Sequence, residues 1–562
     1  MAGTNYDAIV IGSGITGGWA AKELTEKGLN TLVLEAGRSI VPERDYVEHV
    51  PVWELKHRGW DDRFTRERAQ PIQRECYYAC DEYSNHFFVN DQENPYSFDP
   101  GKHFSWIRGR QVGGKSIMWG RHSYRWSDLD FEANLKDGIA IDWPIRYADI
   151  APWYDYVEEF AGISGQAEGL SQLPDGKFLP PMELTCVEVD FKRAIAQHFD
   201  RTMTVGRVAV LTRVHKGRAA CHYCGYCHRG CITGSYFSSL SSTLPAAQKT
   251  GRLTIRPYSV VHSLSFDSNS RRISGVRVID AQSKAPLEFK ARVFFLCAST
   301  LESTRILLNS ATPEFPNGLA NSSGELGHNL MDHHMGSGAS GTMSGHEDKM
   351  PFGNRPSGIY LPRFRNLDAK SKQAAFLRGY GYQGGGSRQG WSRGLNSVGL
   401  GADFKNSLKM PGKWSLGIGG FGECLSNHDN YVEVDKTKLD AWGIPTLKIH
   451  CAWGENELAM SKDIAIQAAE MLAAADAKDI HVHHEITPPG LAIHEMGTAR
   501  MGRDPKTSVL NEHNQAHDAK NLFLTDGACM TSTSCVNPSL TYMALTARAC
   551  DFAVSELNKN NL

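Results

Sequence analysis

The 562-residue sequence predicts an α/β fold in which one sheet draws strands from both ends and the middle of the chain. Three stretches carry that reading. A β-branched run meets a glycine-rich turn near the amino terminus, strand-like texture fills residues 252 to 298, and a last apolar run begins at Leu522.

The elements follow in order. Tyr6-Asp7-Ala8-Ile9-Val10-Ile11 reads as a buried strand, then come Gly12-Ser13-Gly14-Ile15-Thr16-Gly17 and a helix-compatible Trp19 to Leu24. Gly12 permits the tight turn, Gly14 lets the backbone approach a pyrophosphate, and Gly17 lets helix and strand pack closely. A second strand, Thr31 to Leu34, ends at Glu35, where a carboxylate would meet a ribose hydroxyl. With strand, helix and acid in register, an ordinary glycine turn explains the motif poorly. Further strands are expected at Leu253 to Ile255, Val260-Val261, Gly275 to Ile279 and Val293 to Ala298, before a helix over Glu302 to Leu308. Leu522 to Thr525 supplies another strand, closing on Asp526-Gly527.

Strands so dispersed imply interleaved domains. The expected division is a discontinuous nucleotide domain of residues 1–130, 211–325 and 491–562, and a substrate domain of 131–210 and 326–490. Gly384-Gly385-Gly386-Ser387, with glycines also at 381, 390 and 394, reads as a mobile loop. Asp463 to Ala475 reads as an amphipathic helix.

Composition narrows the function classes. With 41% hydrophobic residues and a formal charge of −2, the chain has apolar content for at least two cores, and its charge offers nucleic acid or an anionic membrane nothing. No apolar run approaches the roughly 18 residues of a membrane span. A first strand starting by Tyr6 leaves no room for a secretory signal, so the chain is expected to carry none of its own.

The run Cys221-His222-Tyr223-Cys224-Gly225-Tyr226-Cys227-His228-Arg229-Gly230-Cys231 brings four thiols into one short loop. Its spacing suits an iron–sulfur cluster of the 3Fe-4S or 4Fe-4S type, with Cys231 either a ligand or spare. Zinc and structural or oxidised thiols remain the alternatives. Cys76, Cys80, Cys529 and Cys535 read as buried thiols, and His481, His483 and His484 as solvated or core residues.

Four further segments occur in order: Gly109-Arg110-Gln111-Val112-Gly113-Gly114-Lys115-Ser116; Gly327 to His333; His494-Glu495-Met496-Gly497-Thr498-Ala499-Arg500-Met501-Gly502; and Asp526-Gly527 followed by Asn537-Pro538-Ser539-Leu540-Thr541. Together they resemble the glucose–methanol–choline (GMC) oxidoreductases, which bind FAD and oxidise alcohols. With the cysteine run, the likeness is greatest to bacterial FAD-dependent sugar dehydrogenase subunits that carry iron–sulfur cysteines, glucoside 3-dehydrogenases above all.

The resemblance implies a Rossmann-type FAD domain with an interleaved α+β substrate domain, and it implies roles. His494 would be the base that takes the hydroxyl proton, and Asn537 would hold the substrate oxygen. FAD would be held by Gly12, Ser13, Gly14, Ile15, Thr16, Gly17, Glu35, Arg110, Val112, Gly113, Gly114, Ser116, Val261, Ala298, Asp526, Gly527, Pro538 and Thr541. Met118 stands where some relatives tether FAD through histidine, so the flavin is expected to be non-covalent, although His122 lies four residues on. His333 is expected to support the flavin region, and Glu423 is a weaker candidate to face substrate. Asn537-Pro538 also reads as a helix start, with Asn as cap and Pro as first helical residue. Trp106, Trp119, Tyr124, Trp126 and Trp391 offer flat faces for a sugar.

The implied reaction is oxidation of a sugar secondary alcohol, at C3 of glucosides or disaccharides, with electrons relayed through the cluster to an external acceptor. The implied partners are a small accessory subunit and a cytochrome c or similar carrier. The site of action would be the bacterial periplasm, reached by co-export with a signal-bearing partner, or else the cytoplasm. Two rivals are an oxygen-using glycoside oxidase and a flavoprotein that senses or carries electrons without oxidising sugar.

Overall fold

The computed structural model describes residues 6–562, save the side chains at 395 and 396. Its first sheet has five strands in the order Leu522–Leu524, Val293–Leu296, β1 (Ala8–Ile11), β2 (Thr31–Leu34) and Leu253–Arg256. Every pairing is parallel. All four residues of β1 are buried, as a strand covered on both faces requires, which is why it reads as a continuous apolar run. Helix α1 (Ile15–Glu26) follows the glycine turn, and the helix Ser539–Asn558 packs beside it.

The second sheet has six strands, antiparallel throughout, in the order Lys478–His484, Ser337–Met343, Trp414–Gly422, Tyr380–Arg388, Ile359–Leu361 and Thr204–Val205. One face is apolar. Tyr380, Tyr382, Leu416 and Ile418 meet Met460 and Ile464 of the helix Glu455–Ala474, and Phe191 and Ile195 of the helix Cys186–Phe199. The first sheet uses only segments 1–130, 211–325 and 491–562, and the second only 131–210 and 326–490. A three-stranded sheet joins the two sets, pairing Ser97–Phe98 with Pro445–His450.

The expected mobile loop is a correction. Gly384 to Ser387 lie inside the nine-residue strand Tyr380–Arg388, in continuous register with Trp414–Gly422. Its glycines answer close packing: a Cβ on Gly384 would collide with the Gly417 carbonyl, and one on Gly386 would press into Val187 and Thr185. His481, His483 and His484 lie exposed on the edge strand of this sheet. No described helix is long and apolar enough to cross a membrane.

Candidate active site

Sheet and turn geometry leave an opening at the end of β1, where Gly12, Ser13 and Gly14 line a cavity. Gly12 has φ of 95°, a conformation that favours glycine, and a Cβ there would strike the Cys297 carbonyl. Gly17 sits so close to the Gly12 carbonyl that any side chain would collide with it. Gly14, by contrast, faces open space within 4 Å. It starts α1 with no side-chain cap, so the first-turn N–H groups are free to meet an anion.

Glu35, at the end of β2, is fixed rather than free. Its Oε2 accepts from the Ser13 N–H at 3.1 Å and the Ser13 hydroxyl at 2.6 Å, and its Oε1 accepts from the Gly37 N–H at 2.9 Å. Burial pushes its pKa up against these bonds. The Gly113 N–H donates to Ser13 Oγ at 3.0 Å, and Gly114 lies so near that its Cβ would stand 2.9 Å from Gly14 Cα. Asp526 accepts from Ser303 Oγ at 2.5 Å and from the Ala528 N–H at 3.0 Å, and burial raises it to about 6.

These groups open on one cavity of about 570 Å³, lined by Gly12, Ser13, Gly14, Ile15, Thr16, Glu35, Arg110, Gly114, Ser116, Val261, Ala298, Asp526, Gly527, His494 and Asn537. Five expected cofactor residues lie behind the wall. Gly17 and Gly113 shape the turns, Val112 is in the apolar core, Pro538 precedes the last helix, and Thr541 bonds the Tyr154 hydroxyl at 2.7 Å. Arg108 Nε, Arg121 Nε, Glu495 Oε1 and the Tyr542 hydroxyl are buried, lack a protein partner and belong to residues that line the cavity. A dry cavity would leave them costly, so the lining fits a large polar guest such as FAD.

At the far end stands His494. The preceding Ile493 has φ of 62°, a left-handed conformation that costs a β-branched residue roughly 1–3 kcal/mol. Asp332 holds the segment by accepting from the Gly490 N–H at 2.8 Å, the Ala492 N–H at 3.3 Å and the His494 N–H at 3.0 Å. Burial, and then Glu495, push Asp332 up to about 8.

Hydrogen bonding settles the His494 tautomer. His333 Nε2 lies 2.9 Å from the Ser534 carbonyl and 3.3 Å from the Thr533 carbonyl, so its proton is there. Burial lowers His333 to about 4, keeping it neutral, so its Nδ1 is an acceptor. The His494 Nδ1–H therefore donates to it at 2.8 Å. His494 Nε2 is left bare, and the Asn537 amide faces it at 3.3 Å. Burial first, then His333 and Lys115, hold His494 well below the usual imidazole range. It is a neutral imidazole on the wall of the cavity.

The structure departs from the sequence reading at four places. Asn537 does not cap the last helix: Pro538 occupies the cap position, and the Asn537 amide turns instead to His494 and to Gln383, whose Nε2–H donates at 2.6 Å. Glu423 is fully buried against Arg378 at 2.7 Å and does not line the cavity. Among the aromatic candidates, Trp106 and Trp119 line the cavity, Tyr124 and Trp126 are core residues, and Trp391 is 70% exposed on the surface.

The fourth departure concerns Cys221, Cys224, Cys227 and Cys231. Their loop borders the cavity: His228 lines it and donates to the Met118 carbonyl at 3.0 Å, and the Cys227 carbonyl accepts from Arg121 at 3.3 Å. The four cysteines are free, and among the described residues no three His, Cys, Asp or Glu side chains are grouped to hold a metal ion. Cys221, Cys227 and Cys231 pack against apolar Val208, Val210 and Tyr236. Burial, then the neighbouring thiols, raise Cys221 to about 11. The grouping that the expected iron–sulfur ligand set needs is not seen among the described residues.

Gln383 escaped sequence reasoning, as did Lys115, which pairs with Glu495 at 3.4 Å beside His494. Lys115 sits inside the quoted Gly109–Ser116 segment, a signal that could have found it. Gln383 lies 154 residues from Asn537, in a stretch whose glycines suggested a loop.

Similar proteins place the chain in a family. Profiles described as GMC oxidoreductase match residues 6–335 and 426–546. The chain is 29% identical to 2-methyl-1,2-propanediol dehydrogenase of Mycolicibacterium austroafricanum, over 97% of this chain and 94% of that one. It is 27% identical to the fructose dehydrogenase large subunit of Gluconobacter japonicus, over 98% of both. Pyridoxine 4-oxidase from Mesorbium loti shares the fold with a TM-score of 0.60 at 16% identity, covering 98% of this chain and 99% of that one. With GMC oxidoreductase profiles matching over 6–335 and 426–546, well over half of its length, this chain is a member of the GMC oxidoreductase family, flavoproteins acting on CH–OH donors.

Proposed function

We propose that this chain oxidises a secondary alcohol of a sugar or polyol, with C3 of glucosides or disaccharides as the specific target. The observation that carries the reading is the unprotonated Nε2 of His494, half-buried and neutral, with the Asn537 amide at 3.3 Å beside the cofactor cavity. FAD, bound non-covalently, supplies the hydride acceptor. His494 Nε2 takes the hydroxyl proton, and the resulting imidazolium keeps its Nδ1–H bond to His333. The Asn537 N–H steadies the substrate oxygen as charge develops on it. The cavity-lining residues named above are the proposed FAD contacts, with Glu35 toward the ribose, Val261 toward the adenine and Asp526-Gly527 toward the ribityl chain. Segments 1–130, 211–325 and 491–562 form the proposed FAD domain.

Likeness to a fructose dehydrogenase large subunit supports a companion subunit and an external acceptor such as a cytochrome c. Such a companion would carry the chain to the periplasm; without it the chain works in the cytoplasm.

The test is anaerobic incubation with glucosides, disaccharides, ketoses and diols, an artificial electron acceptor, and product identification by NMR. A 3-keto sugar formed with acceptor reduction is expected. Peroxide formed in air without need of an acceptor would move the protein to the oxidases, and a flavin that no alcohol reduces would overturn the reading. Iron and acid-labile sulfide assayed on the same sample decide whether the cysteine run holds a cluster.

A further inference from the structure

We propose that Gln383 is a positioning residue: by donating to Asn537 it anchors the far end of one directed hydrogen-bond chain that keeps His494 Nε2 unprotonated, an acceptor for the substrate hydroxyl. The inference rests on the oxidation proposed above.

The chain starts at two main-chain carbonyls, which never donate. Thr533 and Ser534 hold the proton of His333 on Nε2, His333 Nδ1 accepts from His494 at 2.8 Å, and His494 Nε2 accepts from Asn537 at 3.3 Å. Asn537 Oδ1 then has to face Gln383, whose Nε2–H donates at 2.6 Å. Reversing the Asn537 amide would set its carbonyl oxygen against a bare His494 Nε2. Moving the His494 proton to relieve that clash would set two imidazole lone pairs against each other across 2.8 Å. Only one direction satisfies both carbonyls and all four side chains.

The fold delivers Gln383 to this place. On the strand Tyr380–Arg388, Tyr382 points into the apolar core, so Gln383 points to the opposite face and lines the cavity. Its register partner on one side is Gly419, which adds no side chain, and on the other Tyr360. The contact ties the antiparallel sheet to the segment entering the last helix. The titratable groups facing it are His494, through Asn537, and Tyr360.

The test uses the FAD-loaded protein and anaerobic flavin reduction by a substrate found above, across pH. Gln383→Glu at neutral pH presents a carboxylate, which accepts from Asn537 Nδ2 and turns its oxygen toward His494. The expected rate near pH 8 is about tenfold or more below wild type, recovering as pH falls and the new carboxyl gains an O–H that can donate to Asn537 Oδ1. A merely structural role would not invert the pH profile. Gln383→Met keeps length but lacks the donor, and is expected to be slow at every pH, with unchanged flavin content. A Gln383→Glu profile parallel to wild type, or a Gln383→Met rate within about twofold of it, overturns the proposal. If His494→Ala is inactive while both Gln383 variants match wild type, this inference falls alone; if no alcohol reduces the wild-type flavin, both fall.

Discussion

Replacing His333 with Phe removes the acceptor for the His494 Nδ1–H while keeping a ring of similar size. His333 is 1% exposed and does not line the cavity, so substrate affinity should hold. The bond at 2.8 Å is neutral in the resting site and becomes charge-assisted once His494 takes up a proton. Neutral hydrogen bonds contribute about 0.5–1.5 kcal/mol and charged ones about 1.5–3, so the proton-transfer step loses about 1–2 kcal/mol of differential stabilisation. At about 1.4 kcal/mol per decade, that is about a 5- to 30-fold slower step. Anaerobic stopped-flow reduction of the flavin at saturating substrate reads it directly. A rate within about twofold of wild type, or a loss confined to substrate binding, would refute the tautomer argument.

Two other outcomes follow from the same contacts. Gly17→Val forces a side chain into the Gly12 carbonyl, so the purified protein should be flavin-poor or insoluble; full flavin content would contradict the close helix–strand approach. His334 is buried and held near 3 by burial and then His333, so the unfolded chain binds a proton below about 6.5 that the native one refuses. Wild type should therefore lose about 1.4 kcal/mol of stability relative to His334→Leu between pH 7.5 and 5.5, read from urea midpoints, and a pH-independent difference would exclude this linkage.

What the sequence disclosed and what it hid divide along locality. β2 matches its expected bounds from Thr31 to Leu34, and Gly17 is dictated by its contact with Gly12 five residues earlier, although the Gly12 position also answers the distant Cys297 carbonyl. The parallel sheet was legible because buried strands are continuous apolar runs. The strand Tyr380–Arg388 was not, because glycines chosen for contact with Gly417 and the helix Cys186–Phe199 look like loop glycines when their partners are out of view. The Asn537-Pro538 pair has the composition of a helix cap, yet tertiary bonds to Gln383 and His494 claim the amide. The cysteine run is the converse case: its spacing suggests a metal, while the structure leaves the four thiols half-buried, free and, among the described residues, ungrouped.

The central claim is that His494 Nε2 is the base. Single-turnover flavin reduction in wild type and His494→Ala, with FAD content matched and oxygen excluded, tests it most directly. Rapid bleaching of the wild-type flavin by its alcohol is expected, and a rate in His494→Ala lower by about two to four orders of magnitude with substrate still bound. Equal bleaching in both proteins would contradict it.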